Sequence, residues 1–191
     1  MEKFKLYMVI IGCTPDGRLT EQHDTFFGIA KSLRDLVPQM IAFWPEAKGE
    51  IHIDAWREVT SVDGNLIEIV PKQENNSSVE KLFFMNLGGY KPGEFEEYHY
   101  KLLTVAETLS IATKSSKENA FYKHYGFKGA TSHIDEKYGI DIDNAYKVQD
   151  ILSSEFKENF QLKITKQENI AEDELHIGYL KISKLLKSND L

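Results

Sequence analysis

The sequence predicts an α+β protein in which one β-α-β-β module is used twice in tandem, packed with pseudo-two-fold symmetry and extended by a C-terminal hairpin. Three features carry this expectation: short apolar runs that stop at glycine, longer apolar stretches at helical spacing, and a segment that recurs 76 residues downstream. With 191 residues, of which 41% are hydrophobic, the chain has enough apolar material for a packed core.

The recurrence is the primary signal. The run Lys5-Leu6-Tyr7-Met8-Val9-Ile10-Ile11-Gly12-Cys13 lies over Lys81-Leu82-Phe83-Phe84-Met85-Asn86-Leu87-Gly88-Gly89, a shift of 81 − 5 = 76 that continues without a gap to Leu33 over Leu109. Eight of these 29 positions are identical, among them Gly12/Gly88, Glu21/Glu97 and His23/His99. Chance pairing would give about two on ordinary residue frequencies. A second anchor, His52-Ile53-Asp54 over His133-Ile134-Asp135, sits at a shift of 81, which assigns about five extra residues to the second copy, around 115–128.

Within the first module, residues 4–11 form a β-branched and aromatic run ended by Gly12, which reads as a buried strand. Phe26, Ile29, Ala30, Leu33, Leu36, Val37, Met40, Ile41 and Trp44 follow helical spacing, with Thr20 or Asp24 as N-cap, Pro38 as a kink and Pro45 as a stop. Residues 50–62 alternate as a strand, with His52, Asp54 and Trp56 assigned to one face. Asp63-Gly64 then marks a hairpin turn into a strand over 66–70. In the second module Leu102, Val105, Ala106 and Leu109 predict the long helix, and 117–125 a short extra one. Residues 160–165 and 176–182 read as two strands pairing as a closing hairpin, with a helix over 182–187 as the alternative for the end of the second. The polar stretch 73–78 sets the boundary: a first module over 1–74, a linker over 75–79, and a second module over 80–191 with the helical insertion and C-terminal strands.

Charge removes some functions. The net charge of −7 is spread along the chain, with 8 basic and 12 acidic residues in 1–76 and 15 and 18 in 77–191. No dense Lys/Arg cluster is available to hold a phosphate backbone, so nucleic acid is not the expected partner. The apolar run after the N-terminus stops at Gly12, too short for a signal peptide core or a membrane span. The single cysteine, Cys13, has no internal disulfide partner, so the expected setting is cytoplasmic, without membrane contact.

The residues that could carry chemistry are those matched between the copies. His23 and His99 follow glycine-bearing polar connections that contain Glu21 and Glu97, and these connections read as strand-to-helix turns that would suit an anion at a helix N-terminus. The ordinary alternative is a turn plus a helix cap. His52-x-Asp54 places an imidazole and a carboxylate on one strand face, a spacing suited to two ligands of one metal or to a proton-transfer couple. The ordinary alternative is a solvated polar row. Candidate site residues are therefore Glu21, His23, Asp24, His52, Asp54, Trp56, Arg57, Glu97, His99, His133 and Asp135, with His52, Asp54, His133 and Asp135 as metal candidates. Cys13 is replaced by Gly89 in the second copy, which argues against a thiol nucleophile, and no Walker A, CxxC, HExxH or GxSxG pattern occurs.

The string EQHDTFFGIAKSLRDLVPQMIAFWPEAKGEIHIDAWREVTSVDG at 21–64, with LGGY at 87–90, resembles the bacterial family catalogued as domain of unknown function 1543, found in one or two copies per chain. The resemblance implies a two-copy member and a bacterial, cytoplasmic setting; it carries no activity. In topology alone the chain is also similar to the tandem modules of the vicinal oxygen chelate kind, which hold metal ligands at repeat-equivalent positions. The residues thus leave two readings: a small-molecule or metal-binding protein, enzyme or not, with its cofactor unspecified; or a noncatalytic interaction or homo-oligomeric module with Phe43, Trp44, Trp56, Tyr98 and Tyr100 as an exposed aromatic patch.

Overall fold

The apolar run near the N-terminus forms strand β1 (Lys5–Cys13), but the next element is a second strand, β2 (Gln22–Ala30), rather than a helix. The two pair antiparallel from Lys5↔Ala30 to Cys13↔Gln22. Phe26, Phe27, Ile29 and Ala30 are all buried, so this segment is covered on both faces. A strand covered on both faces is apolar at nearly every position, and such a run satisfies helical spacing without being helical. Length does not separate the two cases either.

The computed structural model describes residues 3–72, 78–90, 93–124 and 141–187. It divides into two units, one of Met1–Glu74 with Leu152–Leu191 and one of Asn75–Ile151. Mixed helix and sheet is observed in both.

In the first unit the chain passes from β2 through a 3-10 turn at Arg34–Leu36 into a short helix, α1 (Val37–Phe43). Pro38 lies in the first turn of α1, where no helical N–H is needed, so it starts the helix instead of kinking it. Thr20 and Asp24 cap nothing helical: one lies in the loop before β2 and the other within it. Trp44 ends α1, Pro45 opens a second 3-10 turn, and Lys48 and Gly49 reverse the chain with positive φ. Strand β3 (His52–Glu58) then pairs antiparallel with β1.

The hairpin signal at Asp63-Gly64 is met: both residues have positive φ, 52° and 69°, and join β4 (Ser61–Val62) to β5 (Asn65–Pro71). Two positive φ values in succession match the right-handed twist of the flanking strands.

The C-terminal segment departs from expectation. After α4 (Ser154–Asn159), β9 (Phe160–Lys166) pairs with β5, and β10 (His176–Lys181) pairs with β3, so the two do not form a hairpin with each other. Residues 152–191 thus complete the first unit, not the second. Its sheets run β10-β3-β1-β2 and β4-β5-β9. One face of β1 supplies Tyr7, Val9, Ile11 and Cys13 to a core that includes Leu33, Leu36, Met40 and Ile53. The last helix, α5 (Ile182–Leu185), closes that core with both of its terminal residues. This is long-range closure: the strand covering the outer side of β3 lies more than 100 residues downstream.

The second unit is a three-stranded sheet in the order β7-β6-β8, from β6 (Lys81–Tyr90), β7 (Glu97–Ala106) and β8 (Asp141–Lys147). Leu102, Val105 and Ala106, expected in a helix, belong to β7; the helix α2 (Leu109–His124) begins after them and absorbs the described part of the extra helix expected at 117–125. A single turn, α3 (Val148–Ile151), follows β8. Phe83, Met85, Ala106 and Ala112 form the core, with Leu102, Ile142 and Ala145 against it. Most of the expected linker at 75–79, and the insertion beyond residue 124, lie outside the described residues. Among the described residues no helix is long and apolar enough to cross a membrane.

One buried carboxylate ties the first unit's distant segments together. Asp173 Oδ1 accepts from Thr60 N at 3.0 Å, Thr60 Oγ1 at 2.6 Å and Ser61 N at 3.0 Å, while Arg57 lies 3.8 Å from Oδ2. The side chain of Asp173 is 1% exposed. Asp173→Ala removes the acceptor and leaves Arg57 and two N–H groups short of a partner, so urea unfolding is expected to show a loss of about 3 kcal/mol. A second prediction concerns Tyr7, whose hydroxyl is pushed above its usual range first by burial and then by Glu58. A raised folded-state pKa means stability present below the unfolded value of about 10 and lost as pH rises beyond it. Tyr7→Phe is expected to flatten that alkaline loss in thermal melts between neutral pH and pH ~11.

Candidate functional site

Strand β1 alternates, so the face opposite the Tyr7–Val9–Ile11–Cys13 core row ends in Gly12. Gly12 pairs with His23 on β2 and with His52 on β3. Cross-strand partners share a face, which lines up two imidazoles with a glycine between them. The absent side chain is required: a Cβ on Gly12 would lie 2.6 Å from His52 Nε2, 2.8 Å from Asp54 Oδ2 and 3.0 Å from His23 Cδ2.

A bulge brings in the third group. Ile11 pairs with Ile53 but Ile10 pairs with Ala55, so Asp54 is an extra residue on β3. Bulges re-aim side chains, and this one turns the Asp54 carboxylate into the histidine row. Past the bulge the alternation is offset, so Trp56 packs on the core with Tyr7 and stacks flat on His176 at 3.8 Å, instead of sharing the His52 face as its spacing suggested. Glu21, in the hairpin loop just before β2, supplies the fourth group.

Each imidazole lies close to both carboxylates. His23 Nε2 lies 3.3 Å from Glu21 Oε2 and 3.3 Å from Asp54 Oδ2; His52 Nε2 lies 3.2 Å from Glu21 Oε1 and 3.4 Å from Asp54 Oδ2. These are ion-pair distances, yet His52 Nε2 and Asp54 Oδ2 are buried without a hydrogen-bond partner. Buried polar atoms without a hydrogen bond call for another partner, and the ligand atoms of Glu21, His23 and His52 lie within 4.8 Å of one another, close enough for one cation. His52 is 7% exposed, whereas Glu21 and His23 are open to solvent. The ring of Tyr179, from the outer strand β10, lies 4.5 Å from that of His52 and forms a wall on that side.

Other expected site residues lie elsewhere. Asp24 caps its neighbour, its Oδ1 accepting from Thr25 N at 2.7 Å. Arg57 is held by Asp173, with its pKa lowered first by burial and partly restored by that carboxylate. Cys13 is buried in the core, its thiol pushed up by burial first and by Glu21 second. Because residues 12–24 connect two antiparallel strands, no helix N-terminus is present there to receive an anion. Of the expected aromatic patch, Phe43 is exposed, while Trp44 and Trp56 pack on the core.

In the second unit Gly88 pairs with His99, as Gly12 does with His23, and with Asp141. Leu87 pairs with Ile142 and Asn86 with Asn144, so Asp143 is again the extra residue of a bulge. His99 Nε2 lies 3.1 Å from Asp143 Oδ2, and the ligand atoms of Glu97, His99 and Asp143 lie within 4.8 Å of one another. Asp143 therefore stands where Asp54 does, at a shift of 143 − 54 = 89, and not at the shift of 81 that selected His133 and Asp135. His133 and Asp135 lie outside the described residues and outside β8. The available signal was the run His52–Val59 against Asp141–Val148, where Ile53/Ile142, Asp54/Asp143 and Val59/Val148 are identical. The literal repeat of His-Ile-Asp obscured it.

Residues 18–69 match the family model described as Domain of Unknown Function (DUF1543), which supports the family resemblance over the segment that holds all four groups. No curated protein matches the chain. In fold it is similar to a solved structure described as protein Il1583 from Idiomarina loihiensis, at 19% identity and a TM-score of 0.61, over 94% of this chain and 97% of that one. At that identity the likeness concerns the fold alone.

The glycine requirement is testable without any ligand. Gly12→Ala is expected to displace the rings of His23 and His52, seen as shifts of their imidazole NMR signals, and to cost about 1–3 kcal/mol of stability by overpacking. Unmoved imidazole signals would count against this close packing around Gly12.

Proposed function

We propose that this chain binds a divalent transition metal through Glu21, His23, His52 and Asp54. The observation that carries the reading is the pair of buried, unpartnered atoms, His52 Nε2 and Asp54 Oδ2, set among ligand atoms 3.2–3.4 Å apart. Metal–ligand bonds of about 2.0–2.1 Å in tetrahedral geometry separate neighbouring ligand atoms by about 3.3–3.4 Å. The four imidazole–carboxylate spacings match that edge, and two imidazoles with two carboxylates suit zinc, iron or nickel better than magnesium or calcium. Solvent access on the Glu21–His23 side leaves room for a water or a small anionic ligand on the metal. In this reading the chain is a tandem duplication, supported by the shared strand order, glycine position and bulge of the two units, and it works in the cytoplasm.

The test is elemental analysis of protein prepared without chelator or affinity-tag metal, followed by zinc titration of His52→Ala and Asp54→Asn. About one zinc per chain is expected at this site in the wild type, with affinity falling at least tenfold in each variant while far-UV circular dichroism is unchanged. Wild-type protein that takes up no zinc, iron or nickel, or variants that bind as the wild type does, would end the proposal.

A second reading, a homo-oligomeric module, is favoured by the outer strand of the four-stranded sheet. Leu175, Ile177 and Tyr179 on and beside β10 are 60%, 81% and 61% exposed. An uncovered strand with apolar side chains is a template for pairing with a second copy. Light scattering that gives a dimer in the wild type and a monomer in Ile177→Lys would support this reading; a wild-type monomer would remove it.

A further inference from the structure

We infer that the molecule received by the first unit's site, beyond the metal, is a small carboxylate, and that Tyr179 and Lys181 on β10 hold it beside the cation. The inference rests on the metal-binding reading of Glu21, His23, His52 and Asp54 and names the class of ligand that joins them. Those four residues account for the cation; the groups that choose its partner lie on the neighbouring strand.

Strand pairing puts both residues on the site's face. Lys181 on β10 pairs with His52 on β3, and Leu180 pairs with Ile53. Leu180 and Ile53 both pack in the core on the other side of the sheet. Side chains alternate along a strand and cross-strand partners share a face, so Tyr179 and Lys181 stand with His52. The ring contact agrees: the Tyr179 ring lies 4.5 Å from that of His52, tilted by 40°.

The backbone of β10 departs from regular form where it sets Tyr179. Ile177 pairs with Ala55 and Leu180 with Ile53, so Gly178 and Tyr179 together stand against the single residue Asp54. An extra residue of this kind re-aims the side chains around it. Gly178 carries the irregularity with a φ of 140°, a conformation that residues with a side chain rarely adopt. Burial does not account for the arrangement, because Tyr179 remains 61% exposed. What it achieves is a phenol laid against the most buried of the metal ligands, with the rest of the ring open to a molecule in the site.

Charge then selects the class of ligand. A divalent cation is neutralised by the carboxylates of Glu21 and Asp54, since histidine binds metal as neutral imidazole. Lys181 is exposed and makes no ion pair among the described residues, so its ammonium adds an uncompensated positive charge beside that neutral centre. A carboxylate supplies the matching negative charge, with one oxygen for the metal and the other for the donors of Lys181 and Tyr179. A more highly charged anion would leave excess negative charge in a chain that already carries −7.

The full chain would be loaded with cobalt, whose visible absorption reports each group that joins the metal, and titrated with sodium acetate and separately with inorganic phosphate. The first site's signal is the part lost in His52→Ala. Wild type would be compared with Lys181→Gln, Lys181→Arg and Tyr179→Phe, the last of which keeps the ring on His52, with circular dichroism and cobalt affinity as controls. Acetate is expected to change the wild-type spectrum and to bind about tenfold more weakly to Lys181→Gln and about fivefold more weakly to Tyr179→Phe, with cobalt affinity unchanged in both. Lys181→Arg should bind acetate as the wild type does, and phosphate should bind no more tightly than acetate. A cobalt spectrum unmoved by acetate, equal acetate affinity in wild type, Lys181→Gln and Tyr179→Phe, or tighter binding of phosphate would overturn the inference and leave the metal reading intact. Failure to take up cobalt, seen before any acetate is added, would end the metal reading and this inference with it.

Discussion

Both clusters depend on a strand that is apolar on one face and missing a side chain on the other. In β1 the row Tyr7, Val9, Ile11 and Cys13 is anchored in the core, which fixes the strand's rotation and forces Gly12 to the opposite face. Since β1 lies between β2 and β3, Gly12 is flanked on both sides, and its missing side chain leaves the room in which two imidazoles and a carboxylate from neighbouring strands meet without a clash. Hydrophobic burial on one face thus positions polar chemistry on the other. Burial is worth about 25 cal/mol per Å² of apolar surface, so a core row of this size far outweighs the repulsion and desolvation of a few partly exposed polar groups.

The bulge has a matching role. A regular strand would alternate Asp54 and Ala55 across the sheet and keep Trp56 on the histidine face. The extra residue instead gives the face an adjacent carboxylate and returns Trp56 to the core beside Tyr7. One local irregularity therefore serves packing and polar clustering at once. Its counterpart at Asp143 sits at the same place relative to the central glycine of the second unit.

Outer support in the first unit comes from segments remote in sequence. Strand β10 covers β3 and brings Tyr179 against His52, and Asp173 fastens the preceding loop to Thr60 and Ser61. Arg57, a site candidate from sequence, serves this fastening rather than the cluster. A guanidinium is always charged and must be paired when desolvated.

The sequence by itself determined the strands that begin each unit, the Asp63-Gly64 turn, the glycine-to-histidine spacing shared by 12–23 and 88–99, and the grouping of Glu21, His23, His52 and Asp54 as residues of interest. These are legible because strand periodicity, turn chemistry and internal matching are local properties of the chain. The tertiary structure decided that Phe26 to Ala30 form a strand, that 152–191 return to the first unit, and, between two competing sequence matches, that Asp143 rather than Asp135 corresponds to Asp54. Each of those turns on what covers a segment or on which residue it pairs with. A doubly covered strand and a helix share an apolar pattern, a strand's partner is chosen by long-range burial, and a bulge changes which side chains face one another without leaving a mark in composition.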